Sequence, residues 1–219
     1  MSMLLKSVNV SPPTEVQYGN SLIKTGIFKA AVSGPVRVGR TNLAGDGQAD
    51  LDNHGGAHKA VYAYSLDHYA YWRALLGRDE MDYGQFGENL TVAGLDESRC
   101  CVGDQLEIGS ALFAISQPRV PCFKLGIRFG DETVPKLFSE SARTGFYLSV
   151  LREGEIAAGD PVERVARGRG RVAIKALFEA YMRRGGKDAA GILSRALEVP
   201  ELSTEWRTQI EKRLERLNK

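Results

Sequence analysis

The sequence predicts a mainly β protein: a barrel with a few helices over residues 1–165, followed by a three-helix appendage over residues 166–219. Three observations carry that prediction. Short β-like runs recur through the first part, each bounded by Gly, Pro, Asn or Asp, the residues that punctuate turns. Most of the 24 glycines lie in the same part, which suits tight turns and barrel corners better than long helices. After RVARGRGR (164–171) the apolar residues change to helical spacing.

The strand runs are LLKSVNV (4–10), TGIFKAAV (25–32), VRVGRTNL (36–43), NLTVAGL (89–95), DQLEIG (104–109) and ALFAISQP (111–118). Many short strands at regular spacing favour a closed sheet, because closure removes unpaired edges. Helical interruptions are expected at YSLDHYAYWRALLG (64–77) and DETVPKLFSE (131–140). In the tail, Ile174, Leu177, Phe178 and Tyr181 form one apolar stripe. Asp188 is expected to cap a second helix through Ile192, Leu193, Ala196 and Leu197. Ser203 is expected to cap a third, with Trp206, Ile210, Leu214 and Leu217 on its buried face. Each helix is marginal alone, so the three must pack on one another, on the barrel, or across a homodimer.

With 43% hydrophobic and 26% charged residues in 219, the composition is that of an ordinary globular chain and excludes a disordered one. Three cysteines, two of them adjacent (Cys100 and Cys101), do not make a disulfide framework, so a reducing cytoplasm is the expected home. No apolar run approaches the ~20 residues that span a bilayer, and MSMLLKSVNV reads as a first strand rather than a signal peptide. The net charge of +2 divides unevenly: 16 Lys/Arg against 20 Asp/Glu in residues 1–165, and 13 against 7 in the rest. The basic tail reads as a helical surface docked on an acidic body. The nucleic-acid reading is the weaker one, since few aromatics lie on its polar faces for base stacking.

SQPRVPCFKLGIRFG (116–130) is the richest segment for chemistry. Pro118 and Pro121 fix the backbone around Cys122, and Arg119 and Lys124 place cations beside it. From the residues alone two readings stand: a thiolate ligand for a soft metal, or a buried cysteine acting as a small hydrophobe. GDGQADLDNHGGAHKAVYAY (45–64) gathers Asp46, Asp50, Asp52, His54, His58 and Lys59 in a glycine-rich loop before a strand. Gly55 and Gly56 argue against a zinc site on one helical face and favour close approach of a ligand to backbone amides. Lys24, Thr25 and Lys29 surround a turn suited to a phosphate, or form a hairpin with solvated lysines. Glu88 and Asn89 precede an apolar strand, where they orient a ligand or satisfy a turn.

Taken together and in order, KTGIFK (24–29), GDGQADLDNHGG (45–56), GENLTVAGL (87–95), VGDQLEIG (102–109) and QPRVPCFKL (117–125) resemble the MOSC domain. This is the β-barrel family related to the C-terminal part of molybdenum-cofactor sulfurase. The resemblance is closest to the YiiM-like branch associated with resistance to 6-hydroxylaminopurine, which also carries three C-terminal helices. It implies a site for the molybdenum cofactor, with Cys122 as the metal-binding thiolate. Lys24, Thr25, Lys29, His54, Glu88, Asn89 and Arg119 would line the cofactor cavity, and His54 or Glu88 would supply a proton. The implied reaction is reduction of N-hydroxylated compounds such as 6-hydroxylaminopurine to the amine, with electrons from a separate flavin-containing reductase. The rival reading is a non-catalytic carrier bearing a persulfide on Cys122. His58 and Tyr62 depart from the commoner pattern, which has an acidic residue and a histidine there. Cys100 and Cys101 match no motif and read as structural.

Overall fold

A computed structural model describes residues 2–49, 55–182 and 188–217. Seven strands close into a barrel: β1 (Met3–Val10), β6 (Val61–Ser65), β7 (Leu90–Ala93), β8 (Gln105–Ile108), β9 (Ala111–Pro118), β10 (Phe146–Arg152) and β12 (Pro161–Ala166). Their order is β12-β8-β9-β10-β6-β7-β1, and the pairs Met3–Val162 and Leu4–Pro161 complete the ring. Only β6 and β7 run parallel within it, and α1 (Asp67–Leu76) leaves β6 in the connection between them. The short strand β4 (Ala30–Val32) adds to β1 outside the ring. Two small ribbons complete the strands: a β2–β3 hairpin (Thr14–Tyr18 with Ser21–Thr25), and β5 (Val36–Val38) with β11 (Gly154–Ile156).

The sequence reading of ALFAISQP as one strand matches β9 from end to end, whereas TGIFKAAV is broken. Residues 26–29 leave the sheet between β3 and β4, and this irregular turn carries Lys29 inward. Gly26 lies so close to a neighbouring loop that a Cβ there would sit 2.6 Å from the carbonyl oxygen of Gly47. That approach, which only glycine allows, brings the two loops of the later site together. The TGIFKAAV run reads locally as a strand, but tight loop packing overrides local β preference. An unpredicted helix, α2 (Phe123–Phe129), begins just after Cys122, and α3 (Val134–Ser141) follows it.

The appendage is α4 (Ile174–Met182), α5 (Ala189–Leu197) and α6 (Thr204–Leu217). Within this chain the helices pack both on one another, as in the Tyr181–Trp206 ring pair of α4 and α6, and on the barrel. Ile174, Leu177, Leu193, Trp206 and Ile210 are buried in the same apolar cluster as Leu106, Phe113 and Phe146 of the barrel. Each large side chain buried this way stabilises by roughly 1.5–3 kcal/mol before entropic costs. Ser203 caps α6 as expected, its hydroxyl accepting from the Trp206 amide at 3.1 Å. Asp188 stands at the N-terminus of α5, but its carboxylate makes no capping bond and faces Arg195 at 3.6 Å instead. A second cluster lies on the other side of the sheet, where Tyr62, Tyr64, Trp72, Phe86 and Phe138 pack against α1, α2 and α3.

Candidate functional site

The mouth of the barrel where β3 and β9 end and β6 begins holds a cleft lined by Thr25, Lys29, Asp46, Asn89, Arg119 and Cys122, with Lys59, Lys124, Tyr62 and Tyr147 completing its wall. Its cavity volume is about 100 Å³, and it opens to solvent. Cys122 sits in extended backbone immediately before α2 and is half-buried, so its thiol reaches the cleft. Two prolines and the start of a helix hold that turn. The bland reading of Cys122 as a core hydrophobe therefore does not describe its place. It does describe Cys100 and Cys101, which are both buried and lie outside the cleft.

Arg119 is the least ordinary group in the cleft. It is only 6% exposed, and its guanidinium carbon lies 4.9 Å from the ring centre of Tyr62 and 5.2 Å from that of Phe138. Its buried Nη1 has no hydrogen-bond partner, and no ion pair to it forms among the described residues. Burial favours the neutral form, but the surrounding Tyr62, Tyr147 and Cys122 outweigh it and hold the pKa above its ordinary value. The faces of the two rings stabilise the cation. A buried, charged, under-bonded guanidinium beside a thiol is a ready receiver for an anion.

Lys29 is placed in the cleft but is not a free cation. Its ammonium pairs with Asp46, whose side chain is 4% exposed and also accepts from the Ser11 amide at 3.0 Å and Asn89 Nδ2 at 2.9 Å. Burial lowers the pKa of Lys29, and Asp46 opposes that shift. Asn89 binds Asp46, accepts from the Tyr62 amide at 3.0 Å and donates to the Asn9 carbonyl at 3.2 Å, so it ties β1, β6 and the 46 loop into one frame. The Thr25 hydroxyl accepts from the Ile27 amide at 3.2 Å and shapes the turn.

Two expected residues are elsewhere. Lys24 is exposed on the β2–β3 hairpin and does not line the cleft: the solvated-lysine reading applies to it, because alternation along β3 turns Thr25 inward and Lys24 outward. Glu88 is fully buried behind the wall. Its oxygens accept from Tyr69 Oη, the Gly84 amide (3.0 Å), the Phe86 amide (3.0 Å) and Thr91 Oγ1 (2.9 Å). Burial pushes its pKa up while those donors hold it down. A group so enclosed fastens the 84–87 turn and does not reach the cleft as a proton donor. His54, with Asp50 and Asp52, lies outside the described residues; among those described, no group of three or more His, Cys, Asp or Glu side chains could hold a metal ion. No described helix is long and apolar enough to cross a membrane.

Sequence reasoning missed Tyr147, which faces the cleft from β10, a strand it did not single out. It also missed that Lys59 links the cleft to the appendage through an ion pair with Glu205 of α6. Neither has a local signal, since each depends on residues far away in the chain.

Fold and site together define a small closed barrel with a thiol and cations at one mouth. Residues 50–163 match the MOSC domain, and residues 183–217 match the YiiM-like 3-alpha helix domain. A Bacillus subtilis protein, YflK, is 38% identical over 96% of this chain and 94% of its own length. The crystal structure of YiiM from Geobacillus stearothermophilus superposes with a TM-score of 0.81 at 36% identity, covering 97% of this chain and 99% of that one. A Gibberella moniliformis protein named Reductase is 36% identical over 66% of this chain, a stretch that is 26% of its own length. The chain belongs to the MOSC-domain family, in its YiiM-like branch.

Proposed function

We propose that this protein binds the molybdenum cofactor at the barrel mouth, with Cys122 as the metal ligand, and reduces N-hydroxylated compounds to amines. The observation that carries the reading is the half-buried Cys122 thiol sharing a wall with Arg119, whose buried Nη1 has no partner. The donor set fits the group. A soft sulfur suits the metal, a ring-flanked guanidinium and the half-buried Lys124 suit a phosphate, and the glycine-walled loops at Gly26, Gly47 and Gly87 suit a flat pterin. Membership of the family and the reductase name of one relative support the same reading.

When bound, the cofactor supplies the two-electron chemistry that breaking an N–O bond requires. The net change is that R–NHOH takes up two electrons and two protons and leaves as R–NH₂ and water. The chain's own residues hold and orient. Arg119 and Lys124 bind the anionic part, while the Lys29–Asp46–Asn89 frame keeps the loops in register and is already internally neutral. Since Glu88 is sealed away, the proton donor in this proposal is His54, and the electrons come from a separate flavin-containing reductase.

The test is molybdenum and pterin quantification on protein made in a cofactor-competent host, with turnover of 6-hydroxylaminopurine. Cys122→Ser should lose molybdenum and turnover while its melting temperature stays within a few degrees of the parent. Molybdenum retained in that variant with undiminished turnover refutes the proposal. Purified parent protein with sulfane sulfur on Cys122 and no metal would replace it with the carrier reading.

A further inference from the structure

Cys122 and Tyr147 form a partition, and beyond it lies a second cavity of about 280 Å³ between the barrel and the appendage. Gln117 lines it from β9, and Tyr181, Trp206 and Gln209 line it from α4 and α6. Gln117 is 3% exposed, yet its buried Oε1 has no hydrogen-bond partner. Buried carboxamides are ordinarily satisfied within a fold, so this one is under-bonded for packing alone. A β-bulge sets its position. Tyr147 pairs with Gln117 and Leu148 with Ile115, leaving Ser116 as the extra residue. The single hydroxyl proton of Ser116 is shared between the His58 carbonyl at 2.5 Å and the Tyr147 carbonyl at 3.1 Å, which holds the bulge in place. Bulges of this kind re-aim neighbouring side chains. Across the cavity, the rings of Tyr181 and Trp206 pack 4.9 Å apart.

We propose that this second cavity is the substrate's own subsite, and that Gln117 accepts a hydrogen bond there from the N–H of a planar amide, amidine or aminated heterocycle. The aromatic pair of the appendage walls the ring, and the reacting nitrogen lies toward Cys122. This rests on the reductase reading for its chemistry, but the binding geometry stands apart from it. It also gives the appendage a role: α4 and α6 supply one wall of the subsite, and the Lys59–Glu205 ion pair fastens α6 beside it. Compounds lacking an N–H donor leave the carboxamide unsatisfied, so recognition selects against them.

The probes are benzamide and acetophenone, which match in shape and differ in the N–H donor, titrated by NMR against cofactor-free protein. Benzamide should bind about tenfold tighter, the worth of one hydrogen bond. It should also slow alkylation of Cys122, the wall residue. Gln117→Leu should bring the two probes to equal affinity without weakening acetophenone, and in loaded enzyme it should raise KM far more than it lowers kcat. Equal affinities in the parent protein, or no protection of Cys122 by benzamide, overturn the proposal even if the leucine variant fails to fold. Benzamide discrimination with molybdenum retained in Cys122→Ser would sink the cofactor reading and leave this one standing. The reverse pattern would sink only this one.

Discussion

Replacing Glu88 with glutamine exchanges one oxygen for an NH₂ group at a fully buried site, and the structure gives the cost. The carboxyl group receives four donors: Oε1 takes Tyr69 Oη, the Gly84 amide and Thr91 Oγ1, and Oε2 takes the Phe86 amide. Both oxygens have lone pairs for these bonds whether or not the group is ionised, whereas an amide NH₂ has none to offer. The least harmful orientation keeps the amide oxygen at the Oε1 position and sets NH₂ against the Phe86 N–H. That loses one bond of roughly 1.5–3 kcal/mol if charge-assisted and leaves a buried donor unsatisfied, so the expected loss is about 3 kcal/mol. For a domain of this size about 1 kcal/mol shifts the melting temperature by about 2–4 °C, so a fall of about 6–12 °C is expected. Because burial raises the folded pKa of Glu88, its contribution is full below the unfolded value of 4.5 and declines as pH rises through the raised value. The gap between parent and variant should therefore be widest at the acid end. Paired urea and thermal melts at pH 5 and pH 7 measure it. A loss under 1 kcal/mol at both would refute Glu88 as the clamp of the 84–87 turn.

The cysteines give two further expectations. Native protein should react with a thiol reagent at one site per chain, Cys122, and denatured protein at three, because Cys100 and Cys101 are buried at 3% and 6% exposure. Rapid labelling of two or three thiols in the folded state would refute that placement. Burial pushes the Cys100 thiol up to about 12, from an ordinary 9.0. The sign is fixed: its contribution is full below pH 9 and declines as pH climbs toward 12, by at most about 1.4 kcal/mol per unit. Cys100→Ala should flatten that part of the stability curve, whatever constant cavity penalty it carries, and parallel curves for parent and variant would show the assignment to be mistaken.

Much of the architecture was legible because it is written locally. Alternation and turn residues gave β1, β7, β8 and β9, and helical spacing gave α4, α5 and α6. Strands β2, β10, β11 and β12 were not singled out, and the chain around Lys29 resembled a strand until the Gly26–Gly47 approach pulled it out of the sheet. The site was legible as a set of motifs but not as an arrangement. Cys122, Arg119, Thr25, Lys29 and Asn89 converge on the cleft, whereas Lys24 turns to solvent and Glu88 is walled off.

The sequence by itself determined the periodicities that name the strands and helices, and the residue types able to hold a soft metal and an anion. Those follow from side-chain chemistry and from spacing within a dozen residues. Tertiary structure alone decided which cations are spent and which are available. Lys29 meets Asp46 from 17 positions away and Lys59 meets Glu205 from 146, while Arg119 is left between two rings with a donor unused. Charge and hydrogen-bond partnership are set by distance in space, and chain closure around the barrel fixes those distances only once β1 meets β12.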